Sequence, residues 1–315
     1  MSVKRLQNRI AESRFTLPVT GTITLLTWIG AHLTGQINII SLPYLFIVIS
    51  TYLMVELNNS NALMRIYSRM VSCSFLVLCL IASSEFLTLR STIVLLSLVA
   101  TYLIGFHAYQ EKKAHGLIFF AYLCLGIGSM VFAQILYLVP ILWIVLATNL
   151  MAFSLKSFVA SILGLVMPYW FAATYYIYKG DFTTLTEHAA DLTDFSGLFD
   201  ISGITANEVI TFAFIVVVAM TGIIHFLRTS YNDKIRTRMI YDIFITIDIV
   251  SVIFLILFPR HFGEWLAIII VNTSPLIAHY ITLTRTWMTN ISFYFLVAGT
   301  ALLTLFNLWM PSFQF

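Results

Sequence analysis

Charge is what this sequence has least of. Asp, Glu, Lys and Arg make up 10% of its 315 residues, against 60% hydrophobic, where a soluble domain carries about 25% charged residues. A water-facing surface cannot be built from so few charges, so a bilayer is the first solvent to consider, ahead of any division into domains. Cysteine is almost as scarce. Cys73, Cys79 and Cys124 lie in apolar runs, with no C-x-x-C pair and no ligand residues at metal spacing. That excludes a disulfide framework and reads the three as small buried apolar residues. The motifs of soluble chemistry are missing too: no P-loop, no nucleophile motif, no H-E-x-x-H, no dinucleotide fingerprint. No cofactor, metal or catalytic residue is therefore expected, and the balance leans away from an enzyme. Residues 1–14 are polar and basic and lead into an apolar run without a small-x-small cleavage site, so the first span is expected to be an uncleaved signal anchor.

What is present is a succession of apolar runs. A hydrocarbon core of about 30 Å needs roughly 20 residues of helix. Candidate spans fall near 15–35, 40–57, 68–86, 91–108, 116–138, 140–155, 157–178, 207–227, 240–258, 264–283 and 287–309. The expectation is an all-α, polytopic transmembrane bundle of about eleven spans, forming one integral membrane domain over residues 1–315. Between 116 and 178 the only charge is Lys156, and ten spans plus a re-entrant piece is the alternative there.

Lys and Arg in excess on the cytoplasmic side set orientation. With the N-terminus inside, the inner face holds Lys4, Arg5, Arg9, Arg14, Arg65, Arg69, Lys112, Lys113, Lys156, Arg228, Lys234, Arg236, Arg238 and Arg285. The outer face keeps Arg90, Lys179 and Arg260. An odd number of spans then puts the C-terminus outside. Residues 180–206 form an acidic outer loop with Asp181, Glu187, Asp191, Asp194 and Asp200. Its stretch TLTEHAADLTDFSGLF is suited to a short interfacial helix. Tyr175, Tyr176, Tyr178, Trp265 and Trp287 fall where an aromatic belt would lie; a sugar-stacking platform is the less economical reading.

The segment 230–259 orders the rest. It opens with the basic turn Lys234, Arg236 and Arg238 and continues as an apolar helix carrying Asp242 and Asp248. A carboxylate at helix centre costs about 2.5–3.5 kcal/mol on insertion scales, so it marks a site by default. Asp248 is expected in the inner half of the bilayer, beyond snorkelling. Asp242 has Arg238 one turn before it, an ordinary surface pair. His107, His225 and His279 end their spans at a similar depth, and a His–Asp pair across helices would move protons near neutrality. The plainer reading of each is a hydrogen-bonded histidine. Asn272, Thr273, Ser274 and Pro275 interrupt the tenth span, as in carrier sites built on broken helices, or simply kink it. His32, Gln134 and Asn149 are smaller polar candidates for helix-to-helix bonds. The run Glu56 to Asn61 with Arg65 and Arg69 could hold a phosphate or headgroup, where a solvated loop is the plainer reading. Outside, Arg90 and Arg260, with Lys179 and His261, are the candidate anion binders.

The runs VELNNSNALMRIYSRM, FLTLRS and KSFVASILGLVMPYW together resemble a family of polytopic inner-membrane proteins from the Bacteroidota, over roughly residues 50–240. The resemblance implies a bacterial inner membrane and carries no activity with it. The expected partners are the lipid bilayer and other inner-membrane or envelope proteins; nucleic acid is not among them. Three functions compete. The first is a proton- or cation-coupled carrier or flippase for a small or lipid-linked solute, working at Asp248, Asp242, Asn272, Ser274, His279 and His225. The second is a non-catalytic membrane subunit of an envelope complex. The third is an envelope-glycan polymerase or transferase, which would want a basic outer face where this one is acidic.

Overall fold

The computed structural model describes residues 5–35, 42–180, 183–195, 197–201 and 203–309, and among these the regular elements are all helices. They run α1 (Leu6–Glu12), α2 (Thr16–Leu33), α3 (Leu42–Asn61), α4 (Met70–Ile81), α5 (Leu89–Gly105), α6 (His115–Ser129), α7 (Val139–Thr148), α8 (Leu155–Lys179), α9 (Thr183–Asp191), α10 (Ala206–Thr229), α11 (Ile235–Leu257), α12 (Phe262–Leu283) and α13 (Trp287–Trp309).

Each expected apolar stretch holds a helix, but among the described residues six, not eleven, are long and apolar enough to cross a membrane: α5, α8, α10, α11, α12 and α13. The shortfall has local causes. The helix of α4 gives way at Ala82 after only 12 residues. Extended backbone at Phe132 separates α6 from a tight turn, Ala133–Leu138, that leads into α7. Helix α7 ends after 10 residues, just ahead of Met151 in the left-handed region (φ 53). Helix α2 is diluted by threonines at 16, 20, 22, 24 and 27, and α3 by the polar run at its end. The acidic loop does form a helix, α9; Asp181 lies outside the described residues.

Helix α12 is the axis of the bundle. It packs against α1, α4, α5, α10 and α11 and is buried along nearly its whole length, where α8 and α13 stand largely open. Such a helix can be apolar all round, and its polar residues must find partners inside the protein. It stays helical through Pro275, which removes one backbone donor. Helix α10 reaches it closely because position 222 is glycine: a Cβ there would stand 2.8 Å from the carbonyl carbon of Leu276. The start of α10 is fixed by a capping box, with Thr205 N donating to Glu208 (2.6 Å) and Glu208 N to the Thr205 hydroxyl (3.3 Å).

The ends of the bundle differ in charge. At one, Arg5 donates to the carbonyl of Arg285 (2.5 Å) and Gln7 to that of Ile281 (2.7 Å). There too Ser68 donates to the Ala11 carbonyl (2.7 Å) and Arg236 to Asn61 (2.8 Å). The N-terminal arginines and the basic turn 234–238 thus share one end, as their charge pattern anticipates. The opposite end gathers Glu85, Glu208, Glu264 and Asp200 around Arg260.

Candidate functional site

Three groups of polar residues are distributed along α12, and each is held by a different neighbour. The middle one centres on Asp248. It lies just past the midpoint of α11. It is 1% exposed, and the Thr273 hydroxyl donates to its Oδ1 (3.2 Å). The ion pairs among the described residues fall on Asp233 and Asp194, not on Asp248. A buried carboxylate answered by a neutral hydroxyl pays its desolvation with no cation to offset it. Beside it, Asn272 donates to the Ile268 carbonyl (2.7 Å) and accepts from the Tyr102 hydroxyl (2.8 Å). Ser274 turns back to the Ile270 carbonyl (2.5 Å), so of the polar trio only Thr273 reaches Asp248.

The second group is at the basic end. Asp233, just ahead of α11, is buried. The Nε of Arg65 lies 2.8 Å from its Oδ1 and the Nε2 of His279 lies 3.1 Å from its Oδ2. The arginine contact is electrostatic rather than an aligned hydrogen bond, since Oδ1 has no donor in line. A carboxylate at Nε2 calls for a proton there, and the Nδ1 of His279 has no hydrogen-bond partner among the described residues. The His225 ring stands 5.3 Å from that of His279, and Tyr241 and Phe226 meet the His279 ring edge-on. Tyr241 also donates to the carbonyl of Pro275 (3.3 Å). Tyr241 and Asp248 are seven residues apart on α11 and so share the face it turns to α12. Between them lies the buried ring of Phe244, packed on Tyr102 and Phe106.

The third group is at the acidic end. Glu85, Glu208 and Glu264 border a cavity of about 490 Å³ together with Ser91 and Arg260. Burial, reinforced by the charge of Glu208, pushes the Glu85 carboxyl up to about 7. Arg260 is drawn to Asp194 at 3.6 Å. Arg90 and Arg260 both act electrostatically on His261, so these two arginines come to one region. They arrive already faced by carboxylates, which makes them weak anion binders.

Compared with known proteins, the chain matches no family model, no curated protein and no solved structure.

Of the expected site residues, His279 and His225 come together, while Asp248 sits with Thr273 and near Asn272. Asp242 stands apart, half-buried one turn beyond Arg238. His107 is exposed, its ring bonded to the Leu103 carbonyl (2.6 Å). The His–Asp pair exists, but its acid is Asp233 instead of Asp248. Arg65, nominated for a phosphate, is committed to that acid, which leaves Arg69. Sequence reading missed Asp233, Glu85, Glu264 and Tyr241. Asp233 sits in a turn crowded with cations and looks solvated. The three-way meeting of Glu85, Glu208 and Glu264 joins residues far apart in the chain, and no local pattern announces it.

Proposed function

We propose that this membrane protein is a proton-coupled carrier or flippase of the bacterial inner membrane, with Asp248 as the group that takes up and releases the coupling proton. The observation that carries the reading is a fully buried carboxylate near the middle of its helix whose partner is a neutral hydroxyl. An ionisable group in that place is costly and earns its keep through chemistry rather than packing. Two further features support it. His279 offers an imidazole nitrogen without a hydrogen-bond partner toward one end of α12, and burial pushes the Glu85 carboxyl up to about 7 at the other end. The buried ring of Phe244, packed on Tyr102 and Phe106, lies on α11 between Tyr241 and Asp248, where a carrier needs a block against a continuous leak. The transferase reading is less well supported, because the outer arginines face carboxylates.

The test uses purified protein in unbuffered detergent solution and a panel of small and lipid-linked solutes, read by proton uptake or release. A solute that moves protons on the wild type and none on Asp248→Asn fits the proposal. The amide keeps the shape, so thermal stability is expected to hold. If Asp248→Asn transports that solute into proteoliposomes as well as the wild type does, the reading is wrong.

A further inference from the structure

A long cleft runs along the bundle between α2 and α13, floored by α4, with a volume of about 720 Å³. Its wall extends from Thr16 to Gly30 on α2, about 21 Å at 1.5 Å per residue. That is longer than one leaflet of a hydrocarbon core about 30 Å thick. The cleft looks polar in sequence and is not. Thr20, Thr24 and Thr27 donate to the carbonyls of Thr16 (2.7 Å), Thr20 (2.9 Å) and Ile23 (2.9 Å). Thr300 and Thr304 do the same on α13 (2.8 Å each). With their hydroxyls spent on their own helices, these side chains add little polarity to the wall. Trp309 closes the far end over Gly30, where a Cβ would come within 4.0 Å of its ring.

One hydroxyl on that wall breaks the pattern. Ser74 is 7% exposed and its Oγ has no hydrogen-bond partner. That oxygen is itself sealed, so it too adds no donor to the wall. Ser74 lies five residues beyond Arg69, about 8 Å along the helix. Arg69 stands at the basic-end mouth, directly before the wall residue Met70, and Arg14 stands there too, two residues before Thr16. Arg69 is steadied by the Tyr67 hydroxyl (3.1 Å), and neither arginine forms an ion pair among the described residues.

We infer that this cleft holds one anionic glycerophospholipid, its phosphate on Arg14 and Arg69 and one acyl chain running between α2 and α13. Two features match that molecule in order: cations at the mouth, then a long apolar slot. A slot of about 21 Å suits one acyl chain and is too short for the much longer tail of a polyprenyl phosphate. The inference is independent of Asp248, which lines no part of the cleft.

Native mass spectrometry of the full chain, released from nanodiscs of equal dioleoyl phosphatidylglycerol and dioleoyl phosphatidylcholine, tests it. The wild type should retain phosphatidylglycerol with a roughly tenfold preference, the order expected of two arginines near a charged surface. Arg14→Gln with Arg69→Gln should lose the preference but keep lipid. Ala301→Phe, whose new ring enters the cleft from an exposed position, should lose the retained lipid. Asp248→Asn should retain it like the wild type, which keeps this outcome separate from the carrier test. Equal retention of the two lipids by the wild type, undiminished retention by Ala301→Phe, or displacement by an added polyprenyl phosphate in preference to phosphatidylglycerol would overturn the inference.

Discussion

Glu85 shows how a single residue couples this fold to pH. Its carboxyl holds a proton up to about 7 in the folded chain, where 4.5 is its ordinary value. Between those values the folded form binds the extra proton, so the stability it contributes is complete below about pH 4.5 and is lost as pH rises toward 7. Allowing for its partial exposure, the loss is about 1–2 kcal/mol. Thermal unfolding in mild detergent should therefore show the wild-type Tm falling between about pH 5 and pH 7.5 by a few degrees more than that of Glu85→Gln. Parallel curves for the two proteins would show that burial at Glu85 is too slight to matter. The sequence hides this residue and exposes Asp248 for one reason. A charge amid apolar helix is anomalous wherever it falls, whereas Glu85 stands at the very end of its apolar stretch beside Ser83 and Ser84, where a charge is ordinary. Its neighbours Glu208 and Glu264 come from other helices. Asp233 is the same case at the basic end: three cations follow it within five residues, and only packing reveals that the carboxylate is buried.

At the scale of the element, period and composition decided what could be read. Helix α12 announces itself by length, apolar composition and a proline, and its role as the axis fits a helix with scarcely a polar face. The breaks in α4, α6 and α7 do not announce themselves, because the residues at 82, 130–132 and 149–151 include neither Pro nor Gly. The close contact of α10 with α12 is also silent in sequence, since one glycine among apolar residues carries no direction. It makes a sharp prediction. Gly222→Val places a Cβ against the Leu276 backbone, which cannot give way like a side-chain tip. Overpacking of this kind costs about 1–3 kcal/mol, and it would push His225, one turn along α10, away from His279. Tm should drop by several degrees, with loss of any solute-dependent proton signal. Gly21→Val is the control: its Cβ meets nothing within 4 Å, and its Tm should stay near that of the wild type.

The whole molecule is ordered by the contrast between its ends. Cations along the chain fall at intervals set by the helices, so their collection at one end was legible before any coordinates. Contacts from Arg5, Arg65 and Arg236 bear out the shared location. Which compartment that end faces is a matter of insertion energetics, and the excess of Lys and Arg argues for the cytoplasm. Labelling with a membrane-impermeant maleimide on intact cells tests this with single cysteines on the two ends. The native thiols give little background, because Cys73 and Cys79 are buried and Cys124 is half-buried. A cysteine at exposed Thr286, beside Arg285, should react only after the membrane is permeabilised. One at exposed Thr193, beside Asp194, should react in intact cells. The reverse pattern would turn the bundle over. It would place the His279–Asp233 pair and the arginine mouth of the cleft on the outer face, and Glu85 with its cavity inside. The direction of any proton movement along α12 would reverse with it, while every contact within the protein stayed as it is.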